Sequence, residues 1–348
     1  MLICFFLTSV LATGQNTNRQ KDLEKQGWKK SANLGLDFLS NLAINPQVGS
    51  GENRLAFGSK INFIANLHAG RFTWHNSLNT TFSIQKNGSG YLPDHPDVKR
   101  PLQKTNDRFA INSKAAHRTS YFSKYYYTGE FSINSQVLKT YKGNYLKDVG
   151  NMGHPISGFM APGVIRFSLG IDYRHDKMVS IFFAPISYKS TIVRNDSIAK
   201  MAAYDENKNF VGTIHGNDFY YKNDSLFFKN KKTNMGAMLK IAYHNKFYYN
   251  RIEYHSKLRL FLAYKKKTGL PVHLEENIKI GRFDFDWRND IDVKFTKKLS
   301  IAFVAQLIFD NNVFVQKSSN DLPNGLEEEY SKAVSYFQQI LIRYKIKF

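Results

Sequence analysis

The feature that most constrains the fold of this 348-residue chain is a repeated alternation of apolar and polar residues. In residues 283–295, aromatic and aliphatic side chains alternate with charged ones such as Asp284, Asp286 and Arg288. A period of two is the pattern of a β-strand with one apolar and one polar face, whereas a helix would scatter these charges around its axis. The chain therefore has an all-β pattern. Twelve such runs occur, at residues 34–38, 55–67, 72–84, 109–115, 121–133, 165–173, 179–193, 237–243, 254–264, 283–295, 299–309 and 340–348.

The lengths of the runs and of their connections indicate a membrane protein. Many runs exceed the ~5–6 residues of a typical globular strand and approach the ~9–11 that a tilted strand needs to cross a bilayer. Short connections, such as residues 68–71 and 296–298, alternate with long ones, such as 194–233. This alternation is typical of outer-membrane barrels, with tight periplasmic turns and extended extracellular loops. We expect a twelve-stranded antiparallel transmembrane β-barrel, porin-like in architecture, with a soluble β-sandwich as the alternative.

Both ends of the chain fit export to the outer membrane of a Gram-negative bacterium. Residues 2–12 form a short apolar stretch followed by small residues, the pattern of a secretory signal peptide. We expect a signal peptide at 1–14, a periplasmic lead-in at 15–27 and the barrel at 28–348. The single cysteine, Cys4, lies inside the apolar stretch, so no disulfide is expected. Tyr344, Ile346 and Phe348 alternate to a final aromatic, which we interpret as a signal for the outer-membrane assembly machinery.

Short motifs along the chain resemble a family of unknown function. They read ISGFMAP at 156–162, SLGIDY at 168–173, API at 184–186, KxTIV at 189–193, GEN at 51–53, WxNSL at 74–78, KTxDR at 104–108 and SK at 113–114. Their order and spacing resemble a Bacteroidota family described as domain of unknown function 3078, over roughly residues 28–348. The resemblance implies an outer-membrane β-barrel and no assigned activity. The chain departs from the family at His75, where an acidic residue is usual, and in its long 194–233 connection.

If the apolar faces contact lipid, the polar faces line the lumen. We predict a lumen-lining charge ladder on two neighbouring strands, formed by Glu253, His255, Lys257, Arg259, Asp284, Asp286, Arg288, Asp290 and Asp292. Cross-strand pairing is expected to bring Arg259 near Asp284 and Lys257 near Asp286. Barrels of about eight strands are filled by side chains and those of 16–18 leave a water channel, so we expect a narrow or plugged lumen. A paired, solvated interior is the simplest interpretation. A selectivity lining or a cation site on the aspartates are alternatives, although this spacing is not that of a calcium loop.

The sequence leaves two roles open, a narrow channel for small polar solutes or an accessory subunit of an envelope complex. The formal charge of +21 suits nucleic-acid binding, but the basic residues are spread over the chain rather than gathered in one stripe. We therefore expect outer-membrane lipid, lipopolysaccharide, the assembly machinery and an envelope protein as partners, and no nucleic acid. The ten histidines form no metal-binding motif, so no cofactor and no metal are expected.

One motif raises lipid hydrolysis as a remote alternative. His75-x-Ser77, followed by Asn79, resembles the His-x-Ser arrangement of the outer-membrane phospholipase, which is also a twelve-stranded barrel. A serine nucleophile needs an adjacent base, and this spacing places both residues on one strand face. Trp74 and Leu78 define the lipid side, however, so His75 and Ser77 are predicted to point into the lumen. We therefore expect that the protein is not an enzyme.

Overall fold

The computed structural model describes residues 26–41, 54–88, 91–92, 95–149, 153–175, 178–204, 209–223, 225–264, 283–296, 299–316 and 330–347. Within these residues, the long strands are β1 (Gly27–Asn41), β2 (Arg54–Ala69), β3 (Phe72–Asn87), β4 (Gln103–Arg118), β5 (Tyr125–Ser135), β6 (Gly163–His175), β7 (Val179–Ile192), β8 (Lys231–Phe247), β9 (Ile252–Ala263), β10 (Phe283–Lys294), β11 (Leu299–Phe309) and β12 (Ser335–Lys347). Each pairs antiparallel with the next, and β1 also pairs with β12, so these twelve described strands form a closed barrel. The prediction of an all-β, antiparallel fold is confirmed. The predicted signal peptide at 1–14 lies outside the described residues.

The alternation of the sequence sorts side chains between the two faces of this sheet. On β2, Leu55 and Ile61 are about half exposed on the outside, and on β10 Phe283 and Trp287 are exposed in the same way. The fully buried side chains inside the barrel include polar and charged ones such as Asp172, which is 0% exposed. The barrel thus has an apolar outer surface and a polar interior, the reverse of a water-soluble globular domain.

The two ends of the barrel differ in the length of their connections. Residues 70–71, 119–124, 176–178, 248–251 and 295–298 join strands at one end, which we call the turn end. Residues 42–53, 88–102, 136–162, 193–230, 264–282 and 310–334 join strands at the other, which we call the loop end. The predicted run at 121–133 began too early, because its first four residues belong to a turn. The Thr119 hydroxyl donates to Ser123 Oγ (2.6 Å), which accepts the Tyr125 N–H (3.0 Å), and the strand begins there.

The connection at 193–230 folds into small elements that we call the loop insertion (residues 194–230). It contains α1 (Asp196–Ala199) and two hairpins, Ala202–Tyr204 with Phe210–Thr213 and Phe219–Lys222 with Ser225–Phe228. The buried amide of Asn217 donates to the carbonyls of Ala199 (2.9 Å) and Lys229 (2.7 Å), which ties these elements together. The remaining short elements are a 3₁₀ turn at Lys142–Asn144 and the strand pairs Tyr91–Leu92 with His95–Lys99 and Val315–Gln316 with Tyr330–Ser331.

In the part of the chain that the structure describes, no helix has the length and apolar character needed to cross a membrane.

A bulge around Pro185 interrupts the regular pairing of β7. The register shifts between Leu169 and Ile171 on the β6 side and between Gly236 and Met238 on the β8 side. Proline cannot donate to a ladder, so it is confined to positions such as bulges and sheet edges. The two backbones approach closely here, since a Cβ added at Gly170 would lie 2.0 Å from the carbonyl oxygen of Phe183. Glycine at this position is therefore a requirement of the bulge.

Candidate functional site

The interior of the barrel contains a cavity of about 2230 Å³. At the loop end it is bordered by Lys142, His154 and His215, and at the turn end by Met178 and Glu253. The cavity therefore extends along most of the barrel axis. It is the candidate functional site because it gathers most of the predicted charge ladder.

Eight of the nine predicted ladder residues line this cavity. They are Glu253, His255, Lys257, Arg259, Asp286, Arg288, Asp290 and Asp292. The ninth, Asp284, lies closer to the loop end, where its carboxylate accepts hydrogen bonds from Lys189 Nζ (2.7 Å) and the Asn311 N–H (2.9 Å). Asp284 is therefore part of an ion pair inside the barrel.

The pairing that we predicted within the ladder is wrong by two residues. The register places Arg259 opposite Asp286 and Lys257 opposite Arg288. A shift of two residues leaves every side chain on its original face, so alternation predicts the face but not the partner. Arg259 Nη1 lies 3.6 Å from Asp286 Oδ2. Arg288 instead binds Asp290 on its own strand with two hydrogen bonds of 2.7 and 2.9 Å.

Charged side chains also connect strands that are distant in the barrel. Lys240 on β8 donates to Glu130 on β5. Lys189 on β7 bridges Asp284 on β10 and Asp310, which directly follows β11. Alternation along a strand does not predict these pairs, because no periodic signal relates strands that are not neighbours.

A second buried group of charges is centred on Asp172. Its carboxylate accepts from Lys114 (2.8 Å), Arg174 (2.7 Å) and the Ser180 hydroxyl (2.8 Å). The fully buried ring of Phe182 lies nearby, with the Lys114 ammonium 5.0 Å from its centroid, within the range of a cation–π contact. Side chains thus fill part of the interior beside β5–β8, while Asn134, Arg166, Ser180 and Ala242 on these same strands line the cavity.

Positive charge predominates on the cavity wall. Its lining includes nine lysine and arginine side chains and five carboxylates. Among the described residues, neither Arg166 nor Lys257 makes a hydrogen bond or an ion pair through its side chain. Burial lowers the pKa of His215, in the loop insertion, to about 4, so this imidazole is neutral at pH 7. The excess positive charge therefore comes from the lysines and arginines.

Uncharged amides are frequent on the opposite part of the wall, beside charged residues such as Lys60 and Arg108. Asn62, Asn79, Asn112 and Asn134 on β2–β5 line the cavity, together with Thr81. The Asn62 amide donates to Asn79 Oδ1, which holds these two side chains in the plane of the wall. An amide presents both donors and acceptors, so this wall can bind hydroxyl groups as well as water.

The His75 and Ser77 side chains face the interior, as predicted. Asn79 and Thr81, on the same face of β3, line the cavity, and the Asn79 amide donates to Ser77 Oγ (3.4 Å). The His75 ring contacts that of His68 edge-on, with centroids 5.7 Å apart. This arrangement does not present a serine nucleophile to the outer surface, where lipid would lie. Among the described residues, no group of three or more His, Cys, Asp or Glu could hold a metal ion.

The predicted C-terminal assembly signal is described only in part. Tyr344 and Ile346 lie on β12, with their backbones paired to Leu36 and Leu34 of β1. Phe348 lies outside the described residues. Its proposed role stays a prediction.

The comparison with protein families gives one match. The family model described as "Protein of unknown function (DUF3078)" matches residues 39–141. The resemblance is confirmed over that segment. It contains the motifs at 51–53, 74–78, 104–108 and 113–114, while those at 156–193 lie beyond it. No curated protein matches the chain significantly.

Solved structures resemble most of the chain at low identity, among them two outer membrane channels and an autotransporter domain. An outer membrane channel from Pseudomonas putida F1 is 7% identical to this chain, with a TM-score of 0.37. The match covers 96% of this chain and 100% of the channel's chain. The outer membrane channel DcaP of Acinetobacter baumannii is 7% identical, with 92% and 96% covered and a TM-score of 0.31. The β domain of the Bordetella autotransporter Brka is 8% identical, with 92% and 98% covered and a TM-score of 0.29.

Proposed function

We propose that the chain is an outer-membrane β-barrel of a Gram-negative bacterium and provides a narrow passage for small polar solutes. Its outer surface supports the membrane location. Large apolar side chains such as Phe57, Ile61 and Trp287 are exposed there, on strands from different parts of the barrel. Water-soluble monomers rarely expose apolar patches larger than a few hundred Å². A bilayer removes this cost, and a closed barrel satisfies its backbone hydrogen bonds internally.

The observation that carries the proposed passage is the cavity itself. It extends from the loop end to the turn end, and its lining includes many charged and amide side chains. These groups can replace part of the hydration shell of a solute as it moves along the axis. The pairs Lys240–Glu130 and Lys189–Asp284 occupy other parts of the interior, which limits the width available. Small solutes fit such a space better than folded chains do.

Planar-bilayer recording on the purified, folded protein tests this proposal. We expect stepwise conductance, and we expect Asn79→Trp to lower the unitary conductance because the indole would occupy the cavity. Ile61→Trp is the matched control, since it adds the same ring to the outer face of the neighbouring strand. Silence of the folded protein, or equal conductance for both variants, would contradict the passage.

An accessory subunit is the second candidate role, and the loop insertion favours it. Tyr220 and Phe227 stack with centroids 5.4 Å apart, and both are about 40% exposed. Tyr204 is also exposed on the same insertion. Exposed aromatic residues are enriched in protein interfaces. Under this role, the protein would show no conductance in bilayers. A partner would co-purify with the parent protein after mild detergent extraction, and the double variant Tyr220→Ser/Phe227→Ser would lose that partner.

A further inference from the structure

We propose that the cavity contains an anion-binding site formed by Arg108, Arg166, Lys257 and Arg259. This site would select small anions that carry a carboxylate or phosphate group. The selection of transported ions rests on the proposed passage, whereas the binding of an anion does not. The two parts can therefore fail separately.

The four cations converge on one space although they come from different strands. Arg108 lies on β4, Arg166 on β6, and Lys257 and Arg259 on β9, and all four line the same cavity. Lys257 and Arg259 project from the same face of β9, and Asp286, whose carboxylate lies 3.6 Å from Arg259, lines the same cavity. Like charges confined by low-dielectric walls concentrate counter-ions by about tenfold or more. The arrangement therefore favours an anion at its centre.

Direct ionic contacts compensate only part of this charge, although carboxylates such as Asp286 also attract Arg108, Arg166 and Lys257 without direct contact. Arg166 and Lys257 make no side-chain hydrogen bond or ion pair within the described residues. Arg108 donates to the neutral amide of Asn134 (3.3 Å). Arg259 has a single ionic contact of 3.6 Å, which is longer than the 2.7–2.9 Å typical of a charge-assisted hydrogen bond.

Other cations inside the barrel have direct carboxylate partners, in contrast to most of the proposed site. Lys189 and Lys240 each contact a carboxylate directly. Arg288, which lines the same cavity, is neutralised by two hydrogen bonds to Asp290. These cations therefore have closer ionic partners than those of the proposed site. Among the four cations of the proposed site, only Arg259 has a direct ionic contact within the described residues, to Asp286.

The chemistry of the two walls defines the class of anion. Arginine side chains bind carboxylate and phosphate through paired N–H groups, and rings of arginine and lysine line anion and phosphate pores. The amide wall, with Asn62 and Asn79, supplies donors and acceptors for hydroxyl groups. The site therefore suits a small carboxylate or phosphate that also carries hydroxyls.

Reversal potentials in a KCl gradient test the selectivity. We expect chloride to permeate at least about threefold better than potassium, since the cations raise the local anion concentration. The double variant Arg166→Gln/Lys257→Gln should bring this ratio close to one, and Lys257→Arg should retain it. Lys222→Gln is the matched control, because it removes a positive charge from an exposed hairpin away from the cavity lining.

Calorimetric titration of the folded protein with inorganic phosphate and with gluconate tests binding without transport. We expect binding to the parent protein and at least about tenfold weaker binding to the double variant, because two of the four charges are lost. The shift of unboiled samples on denaturing gels shows folding. If the double variant does not fold, each single variant should give part of the loss.

The outcomes separate this inference from the proposed function. Phosphate binding by a protein that is silent in bilayers would overturn the passage and support the site. Conductance with a preference for potassium would overturn the anion site and leave the passage intact. Absence of phosphate and gluconate binding, or an unchanged double variant, would also overturn the site.

Discussion

At the scale of single residues, the interior combines fully paired charges with incompletely paired ones. Lys240 and Glu130 are both buried, and each is the other's direct ionic contact. Removing one member of a buried pair leaves the other charge desolvated, which costs far more than the pair itself contributes. Exposed pairs behave differently because water screens both charges. Replacing a lysine that belongs to an ion pair therefore costs more stability where the pair is buried than where it is exposed.

The pair Lys240–Glu130 gives a prediction for stability. Lys240→Met should lower the free energy of unfolding by about 3–5 kcal/mol, because Glu130 would remain buried without its partner. Glu130→Gln/Lys240→Met should recover most of the loss. Urea unfolding of the folded protein in detergent measures both variants.

Lys246→Met is the matched control for that experiment. Lys246 is more exposed, and its partner Glu253 also contacts Lys294 (2.6 Å), so the loss should be about 1 kcal/mol or less. Similar losses for Lys240→Met and Lys246→Met would argue against an energetic role for burial of the Lys240–Glu130 pair.

The sequence predicts the faces of these residues better than their partners. Eight of the residues that alternation along β9 and β10 assigned to the ladder line the cavity. Alternation could not set the register, since a two-residue shift preserves every face, and Arg259 therefore meets Asp286 instead of Asp284. Lys240 and Glu130 are 110 positions apart on strands that do not pair. No local pattern relates two such positions.

At the scale of elements, the bulge around Pro185 explains why the alternation of the predicted run at 179–193 breaks at that proline. Alternation weakened in residues 179–193 because the strand changes register there. A bulge adds a residue to one strand and reverses the parity of those that follow. Proline and glycine therefore stand on facing strands, Pro185 without an N–H group and Gly170 without a Cβ. The sequence showed the interruption, and the pairing of β6 with β7 gives its cause.

The close approach of the backbones at the bulge predicts that an alanine at Gly170 destabilises the barrel more than an alanine at a glycine elsewhere in the sheet. Gly170→Ala should destabilise the barrel by about 1–3 kcal/mol, because the methyl group would overlap the carbonyl of Phe183 and force the backbones apart. Gly35→Ala is the matched control in β1, where the new Cβ would lie 3.7 Å from Lys60, an ordinary contact. Thermal unfolding in detergent should separate the two variants. Equal midpoints would show that the bulge tolerates a side chain.

At the scale of the whole molecule, the distribution of polar and apolar side chains predicts which medium surrounds the barrel. The interior holds charges and amides, while Ile61 and Phe63 project outward near the middle of β2. A β-sandwich with the same alternation would bury these apolar faces between two sheets. The closed order of the described strands leaves them on the outside. The apolar surface then has a favourable environment only where hydrocarbon surrounds it.

Arginine substitutions at two adjacent residues of β2, which lie on opposite faces of the strand, test whether a bilayer surrounds the barrel. Ile61→Arg places a charge on the outer face and should cost about 2–4 kcal/mol in lipid vesicles, the range for a charge at the bilayer midplane. Asn62→Arg places the same charge on the cavity wall and should cost about 1 kcal/mol or less, since water and amides solvate it. Urea unfolding in vesicles measures both. If the outer surface contacted water instead, an exposed Ile61 would tolerate substitution by arginine. Equal small losses for the two variants would therefore refute the membrane location.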